Sequence, residues 1–403
     1  MKKDLPIVVA AYNRPHSLQR LLISLEIADY PENIEVKLII SIDHSGSDDC
    51  KKVAENFEWK YGKKMIIAHE KNLGLRDHII KCGDISQDYD GIIMLEDDLV
   101  VSPSFYHFAL SSLNYYYNND KLAGISLYSY EYNEFCHLPF NTIKDNYDCY
   151  FMKVPSSCGQ IYSKKHWAHF KESLDNKIVI TNDDYLPDQV FNWPESSWKK
   201  LYFKHMVDNE LYFVYPNISF SSNMGDEGTH FGEPANFIRT NITIKTNNFN
   251  FPELGDTVNV YDQFMELDVD NIKIKNKKIK ALKKYEIDTF GFKPKNKITK
   301  KNIITSRKVL NYSNSIPVVF HPVQYNLLVS KSFISNEDDF SFNVTELENI
   351  DFDSDSFLKM YYSTCITNNI KNYITDKCIK IIRSSKSYKI GNLIVRLIRF
   401  GKK

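Results

Sequence analysis

No stretch of this 403-residue chain approaches 18 consecutive apolar residues, so a membrane-spanning helix is not expected. Cysteine is sparse and scattered. The seven (Cys50, Cys82, Cys136, Cys149, Cys158, Cys365 and Cys378) are odd in number and include no CxxC pair, which points to reduced thiols in a cytoplasmic protein rather than a disulfide framework or a zinc site. Neither sign of charge dominates. Lys plus Arg and Asp plus Glu both total 51, leaving no global basic field to suggest nucleic acid as a partner, and any electrostatic function has to be local. The Gly-rich phosphate signatures are missing too: GxGxxG does not follow the first apolar stretch and GxxxxGK[ST] is absent, which argues against a dehydrogenase or a P-loop ATPase. The opening MKKDLPIVVAAYNRP has too short an apolar stretch for a signal peptide and reads as a first strand.

What is present is ordinary for a globular protein, 43% hydrophobic and 25% charged, and long enough for two domains or one large domain with an appendage. Residues 5–100 alternate regularly. Strands are expected at 5–10, 35–42, 65–68 and 91–95, and helices at 17–27, 48–61 and 75–82, a pattern that implies parallel βαβ units. A helix to residue 117, a strand at 122–127, a Tyr- and Asn-rich irregular stretch to 150 and a strand at 211–216 follow. Residues 271–302 carry NIKIKNKKIKALKK and further lysines with few large apolar residues, reading as an exposed connection.

Residues 91–105, GIIMLEDDLVVSPSF, carry the clearest chemistry. Ile92, Ile93, Met94 and Leu95 suit a strand covered on both faces, where an isolated charge is costly. Glu96, Asp97 and Asp98 therefore belong at its carboxyl end, the edge where open α/β sheets take ligands. Three adjacent carboxylates repel one another unless a cation joins them, and hard oxygen donors suit Mg²⁺ or Mn²⁺ clasping a diphosphate. A solvated acidic turn has the same composition, so the neighbouring segments decide. AAYNRP (10–15), SIDHSGSDD (41–49) and HEKNLGLRD (69–77) each follow a strand and should line the same crevice.

The order of these segments resembles the GT-A fold of nucleotide-sugar glycosyltransferases, bacterial family 2-like enzymes in particular and N-acetylglucosaminyltransferase I more distantly, over residues 4–232. The resemblance implies a Rossmann-like α/β fold, a mostly parallel sheet flanked by helices, with a C-terminal extension. It implies that Tyr12, Asn13 and Arg14 cup the uracil and phosphates of a UDP-sugar donor, and that Asp43 accepts from the uracil imide. Arg76 would reach the diphosphate or a sugar hydroxyl. Asp98 would be the direct ligand of Mn²⁺ or Mg²⁺, with Glu96 and Asp97 on the sugar, the ribose or metal-bound water. VPSSCGQIYSKKHW (154–167) is similar to the family's SSWGW-type segment with Cys158 in place of the aromatic residue. The NMGDEGTHFG loop (223–232) matches the loop whose His approaches the metal or phosphates, making His230 a candidate.

The pattern breaks at the general base. An inverting transferase needs a carboxylate to take the acceptor's proton, and relatives carry an Asp directly after the Trp of the helix near residue 198 or two residues before it. Lys199 and Ser196 stand there. Glu195 is the first nominee and Asp188 the second, with Asp183 and Asp184 further upstream. SYKIGNLIVRLIRFGKK (387–403) forms a basic amphipathic tail, suited either to the cytoplasmic face of the inner membrane or to the protein's own core. The expected division is 1–235 catalytic, 236–386 of unknown role and 387–403 tail. The expected activity adds a sugar to a glycan or lipid-linked glycan of the bacterial surface, such as lipopolysaccharide, O-antigen or capsule. A sugar-phosphate nucleotidyltransferase and an inactive GT-A-like glycan-binding scaffold are the competing readings.

Overall fold

The computed structural model describes residues 3–226, 238–329 and 340–364. His230 and the basic tail lie outside them. The apolar run of residues 91–95 forms an interior strand of a nine-stranded sheet. Its strands are β1 (Ile7–Ala11), β2 (Leu38–Ile42), β3 (Lys64–Ala68), β4 (Gly91–Glu96), β6 (Leu122–Ser126), β7 (Cys149–Met152), β8 (Gln160–Ser163), β9 (Tyr212–Pro216) and β11 (Val260–Tyr261), in the order β11-β7-β9-β6-β8-β4-β1-β2-β3. Strands β3, β2, β1 and β4 are parallel. Strand β8 is antiparallel to both β4 and β6, so β6 runs in the direction of β4, as does its parallel neighbour β9. Beside the sheet, β5 (Leu99–Val101) pairs antiparallel with β10 (Ser221–Asn223).

The helices on one face are α1 (Pro15–Glu26), α2 (Asp49–Asn56) and α4 (Phe105–Tyr116); on the other they are α3 (Leu75–Asp84), α5 (Lys164–Asp175) and α7 (Trp198–Asp208), with the short α6 (Asp188–Phe191) before α7. Strand alternation divides the core accordingly. Val9, Ile93 and Leu95 pack with Leu18, Leu22 and Phe108, whereas Val8, Ile92 and Met94 pack with Ile79, Trp167 and Tyr202. The mostly parallel α/β architecture is thus the one expected.

Two expectations differ from what is found. The helix expected to reach residue 61 stops at Asn56, because Phe57, Trp59 and Tyr61 turn back onto the core and the Trp59 indole N–H donates to the Val36 carbonyl (2.7 Å). The lysine-rich connection is folded rather than exposed. It holds α8 (Lys277–Leu282), β12 (Tyr285–Asp288) and the start of β13 (Asn302–Thr305), which with β14 (Asn314–Pro317) and β15 (Ser341–Glu346) builds a second, four-stranded sheet. Lys293 and Lys297 are buried. Lys293 pairs with two carboxylates, and Lys297 Nζ donates to the carbonyls of Asn182 (2.7 Å) and Asp184 (2.6 Å).

Candidate active site

Because β4 is parallel to β1 and β2, their carboxyl ends open on one edge, and the loop segments picked out by sequence meet there. Asp97 is buried, its backbone N–H bonded to the Ala10 carbonyl (3.1 Å) and its Oδ2 accepting from the Tyr12 N–H (3.3 Å). Arg14, at the N-cap of α1, straddles the acidic pair: Nη2 donates to Asp97 Oδ1 and Nη1 to Asp98 Oδ2, the latter at 3.0 Å. Burial alone would lower the Arg14 pKa, but Asp97 and Asp98 outweigh it and raise it. Burial lifts the Asp97 carboxyl to about 6 against the pull of Arg14. Glu96 goes higher, to about 8, through burial and then the charge of Asp98. A carboxyl held neutral can donate a hydrogen bond as well as accept one. Tyr12 and Asn13 are exposed on the same edge.

Asp98 Oδ1 is buried and has no hydrogen-bond partner, which is unusual for a carboxylate oxygen and costly unless a ligand completes it. Among the described residues no group of three or more His, Cys, Asp and Glu side chains forms a metal cage. One free hard oxygen fits a divalent cation that takes its other ligands from phosphate and water, the usual arrangement for Mg²⁺. The Asp98 carbonyl is tied to Met224 N–H (2.9 Å) at the end of β10. Two residues on, Asp226 is anchored to α1 by Ser17 Oγ (2.6 Å) and the Arg20 guanidinium.

Asp43 is also on this edge, but its acceptor capacity is spent internally. Oδ1 accepts from the His44 N–H (2.9 Å) and the Leu73 N–H (2.8 Å), and Oδ2 from Asn72 Nδ2 (3.2 Å) and the Gly74 N–H (3.0 Å). Those bonds fill the roughly four lone-pair positions of a carboxylate. Asp43 therefore clamps the NLG turn, where Gly74 sits at φ 77 and ψ 159, a region open essentially to glycine alone. Arg76 follows in the first turn of α3, with its Nε buried and unpartnered.

Neither nominated base occupies a suitable position. Glu195 has a side chain 90% exposed and paired with Lys200 (2.8 Å), a bond that holds its carboxyl below the usual range, so it stands in solvent and not in the crevice. Asp188 is exposed at the start of α6. Sequence reasoning missed a different carboxylate. Glu134 lies in the irregular stretch after β6, and Lys199 Nζ reaches both of its oxygens at 3.0 Å. Tyr130 OH also donates to Glu134 Oε1 (3.0 Å). The signal was present in the lysine at the position where the family pattern has an acid, since a lysine in a crevice calls for an anionic partner.

Residues 7–166 match the family described as Glycosyl transferase family 2. No curated protein matches the chain in sequence. Among solved structures, S. aureus TarS 1-349 in complex with UDP-GlcNAc is similar at 14% identity and a TM-score of 0.37, over 56% of this chain and 60% of that one. The mannosyltransferase PcManGT from Pyrobaculum calidifontis, in complex with GDP-Man and Mn²⁺, is similar at 8% identity and a TM-score of 0.31, over 43% of this chain and 47% of that one. The chain thus spans less than two thirds of either. Residues 7–166 are thus similar to glycosyl transferase family 2, and the parallel strands and the acidic edge of β4 within them form the α/β architecture expected of the GT-A type.

Proposed function

We propose that the protein transfers a sugar from a UDP-sugar donor to a hydroxyl of a surface glycan, with inversion at the anomeric carbon and with the help of Mn²⁺ or Mg²⁺. The observation that carries this reading is the unpartnered, buried Asp98 Oδ1 beside the Arg14 guanidinium, at the carboxyl edge of a family 2 sheet. Asp98 would hold the cation through that oxygen, and Arg14 fixes both aspartates in place. When bound, the cation supplies Lewis-acid neutralisation of the departing diphosphate. Asp97 and Glu96 line the sugar and ribose side. Asp43 acts on the nucleotide by shaping the 72–74 turn, and the free Arg76 Nε is available to a phosphate or sugar oxygen. Among the described residues no helix is long and apolar enough to cross a membrane; a lipid-linked acceptor would be met through the basic tail. The absence of a basic Gly-rich loop after β1 weighs against nucleotidyl transfer.

Isothermal titration of the full chain with UDP, with and without MnCl₂, tests the assignment. Wild-type protein should bind UDP more tightly with Mn²⁺, and Asp98→Ala should lose that enhancement, by about tenfold or more, while keeping its circular dichroism spectrum. Absence of UDP binding in the wild type sinks the transferase reading. Unchanged metal-dependent affinity in Asp98→Ala sinks the metal assignment alone.

A further inference from the structure

The proposed reaction leaves one role unfilled, a group to take the acceptor's proton. The topology supplies a candidate. Since β6 runs in the direction of β4, its carboxyl end at Ser126 opens on the edge that carries Glu96 to Asp98, and the segment leading to Glu134 starts from that edge. Helix α7 precedes β9, which is parallel to β6, so its N-terminus lies at the same edge. There the Ser197 hydroxyl caps the helix by accepting from the Lys200 N–H (3.3 Å), which sets Lys199 in the first turn. The Lys199 ammonium, 5.1 Å from the centre of the Trp193 ring, meets both oxygens of Glu134. The Glu134 and Lys199 side chains are 17% and 13% exposed, open enough for a ligand to reach yet largely shielded from water.

The pair also shares its surroundings with the acidic triplet. The Cys158 carbonyl accepts from Ser221 Oγ (2.5 Å), on the strand whose following residue Met224 holds the Asp98 carbonyl. The Cys158 thiol is pushed up to about 12, first by burial, with Lys199 pulling it down and Asp98, Glu96 and Glu134 adding to the rise. The electrostatic reach of Lys199 and Glu134 thus overlaps that of Asp98 and Glu96 at this thiol. Tyr130, the second partner of Glu134, is itself buried against Tyr128 and Tyr215, so the carboxylate is held from two sides rather than swinging free.

We infer that Glu134 is the general base of the transfer and that Lys199, at the family's usual base position, is the residue that positions it. This rests on the glycosyltransferase reading above. The acceptor oxygen bonds to the sugar C1 as the C1–O bond to the β-phosphate breaks, and that electron pair leaves with UDP. The hydroxyl proton passes to a Glu134 oxygen and from there to solvent. Ion pairing with Lys199 holds the carboxylate in position before the step, and Tyr130, bonded to Oε1 alone, leaves Oε2 with spare lone-pair capacity toward the acceptor. A structural ion pair would serve only to tie the 128–134 segment to α7.

The two roles are separated by measuring UDP release from a panel of UDP-hexoses with water as acceptor, so that the natural acceptor is not needed. Glu134→Gln should bind UDP as the wild type does but lower kcat by about 100-fold or more, with little change in KM. Glu134→Asp should recover part of the rate. Lys199→Met should lower kcat by about tenfold with KM and UDP binding little changed, because the carboxylate loses the contact that orients it, and Lys199→Arg should restore part of that loss. A Glu134→Gln rate within about threefold of wild type, or an undiminished kcat in Lys199→Met, overturns the inference while the transferase reading stands. Failure of the wild type to bind UDP or to release it from any donor overturns both.

Discussion

At the scale of single residues, the grouping of the candidate side chains on one edge was legible wherever one of them stands at a strand end. Glu96, Asp97 and Asp98 close β4, Arg14 follows β1 and Asp43 follows β2, and the sheet brings these ends together whatever the loops do between them. Glu195 shows the limit of reading along the chain. It is three residues from Trp198, yet its carboxylate faces solvent and Lys200, while Glu134, more than sixty residues away in sequence, reaches Lys199. The 128–150 stretch has no hydrophobic period from which a partner could be inferred, so only the three-dimensional pairing reveals it. Asp43 gives a test at this scale. In Asp43→Asn an amide N–H₂ would face two of the four donors now bound, and leaving buried N–H groups unpaired costs about 1–3 kcal/mol each. The melting temperature should fall and UDP affinity should drop by about tenfold as the 72–74 turn loosens. Were melting and affinity both to match wild type, the clamp described for Asp43 would be mistaken.

At the scale of elements, the strands and helices up to residue 126 were readable because each buries a simple pattern: a short apolar run for a strand covered on both faces, a leucine stripe for α1. The lysine-rich stretch was not, because burial there depends on acids supplied by distant segments, Asp262 among them. Packing between elements can also overrule local preference, and Gly83 in α3 shows how. Alanine normally favours a helix over glycine by about 1 kcal/mol. Here a Cβ on Gly83 would lie 1.9 Å from Trp167 Cζ2. Trp167 is fully buried, and its indole N–H donates to Asp84 Oδ1 (2.9 Å), so the ring has little room to retreat. Overpacking of this kind costs about 1–3 kcal/mol or more, which outweighs the propensity gain. Gly83→Ala should therefore lower the urea midpoint with an unchanged m-value; a raised midpoint would show that α3 slides away from α5 at little cost.

At the scale of the whole molecule, the question is what joins the small C-terminal sheet to the main one. Lys293 is 1% exposed and bridges Asp262 (2.7 Å), directly after β11 of the main sheet, to Glu286 (2.8 Å) on β12 of the small one. Burial works against its charge, but the two carboxylates more than offset this and raise its pKa well above the ordinary lysine range. The bridge is remote from chemistry, because β7 is antiparallel to β9 and β11 follows the direction of β7, which puts Asp262 at the opposite edge from Glu96. Lys293→Met would keep the length of the side chain and remove the cation, leaving two largely buried carboxylates facing each other without a partner. Removing one partner of a buried pair costs about 3–5 kcal/mol, so calorimetry should show an earlier or split transition as the C-terminal sheet releases first. Adding Asp262→Asn and Glu286→Gln should recover much of the loss, since Asp262 Oδ1 would still accept from the Phe264 and Glu266 N–H groups and Glu286 Oε2 from Thr299. UDP affinity should be unchanged in both variants below their transitions. A Lys293→Met protein that melts as wild type would mean that the two sheets are held by apolar contact alone, and a loss of UDP affinity without unfolding would mean that the two edges communicate through the sheet.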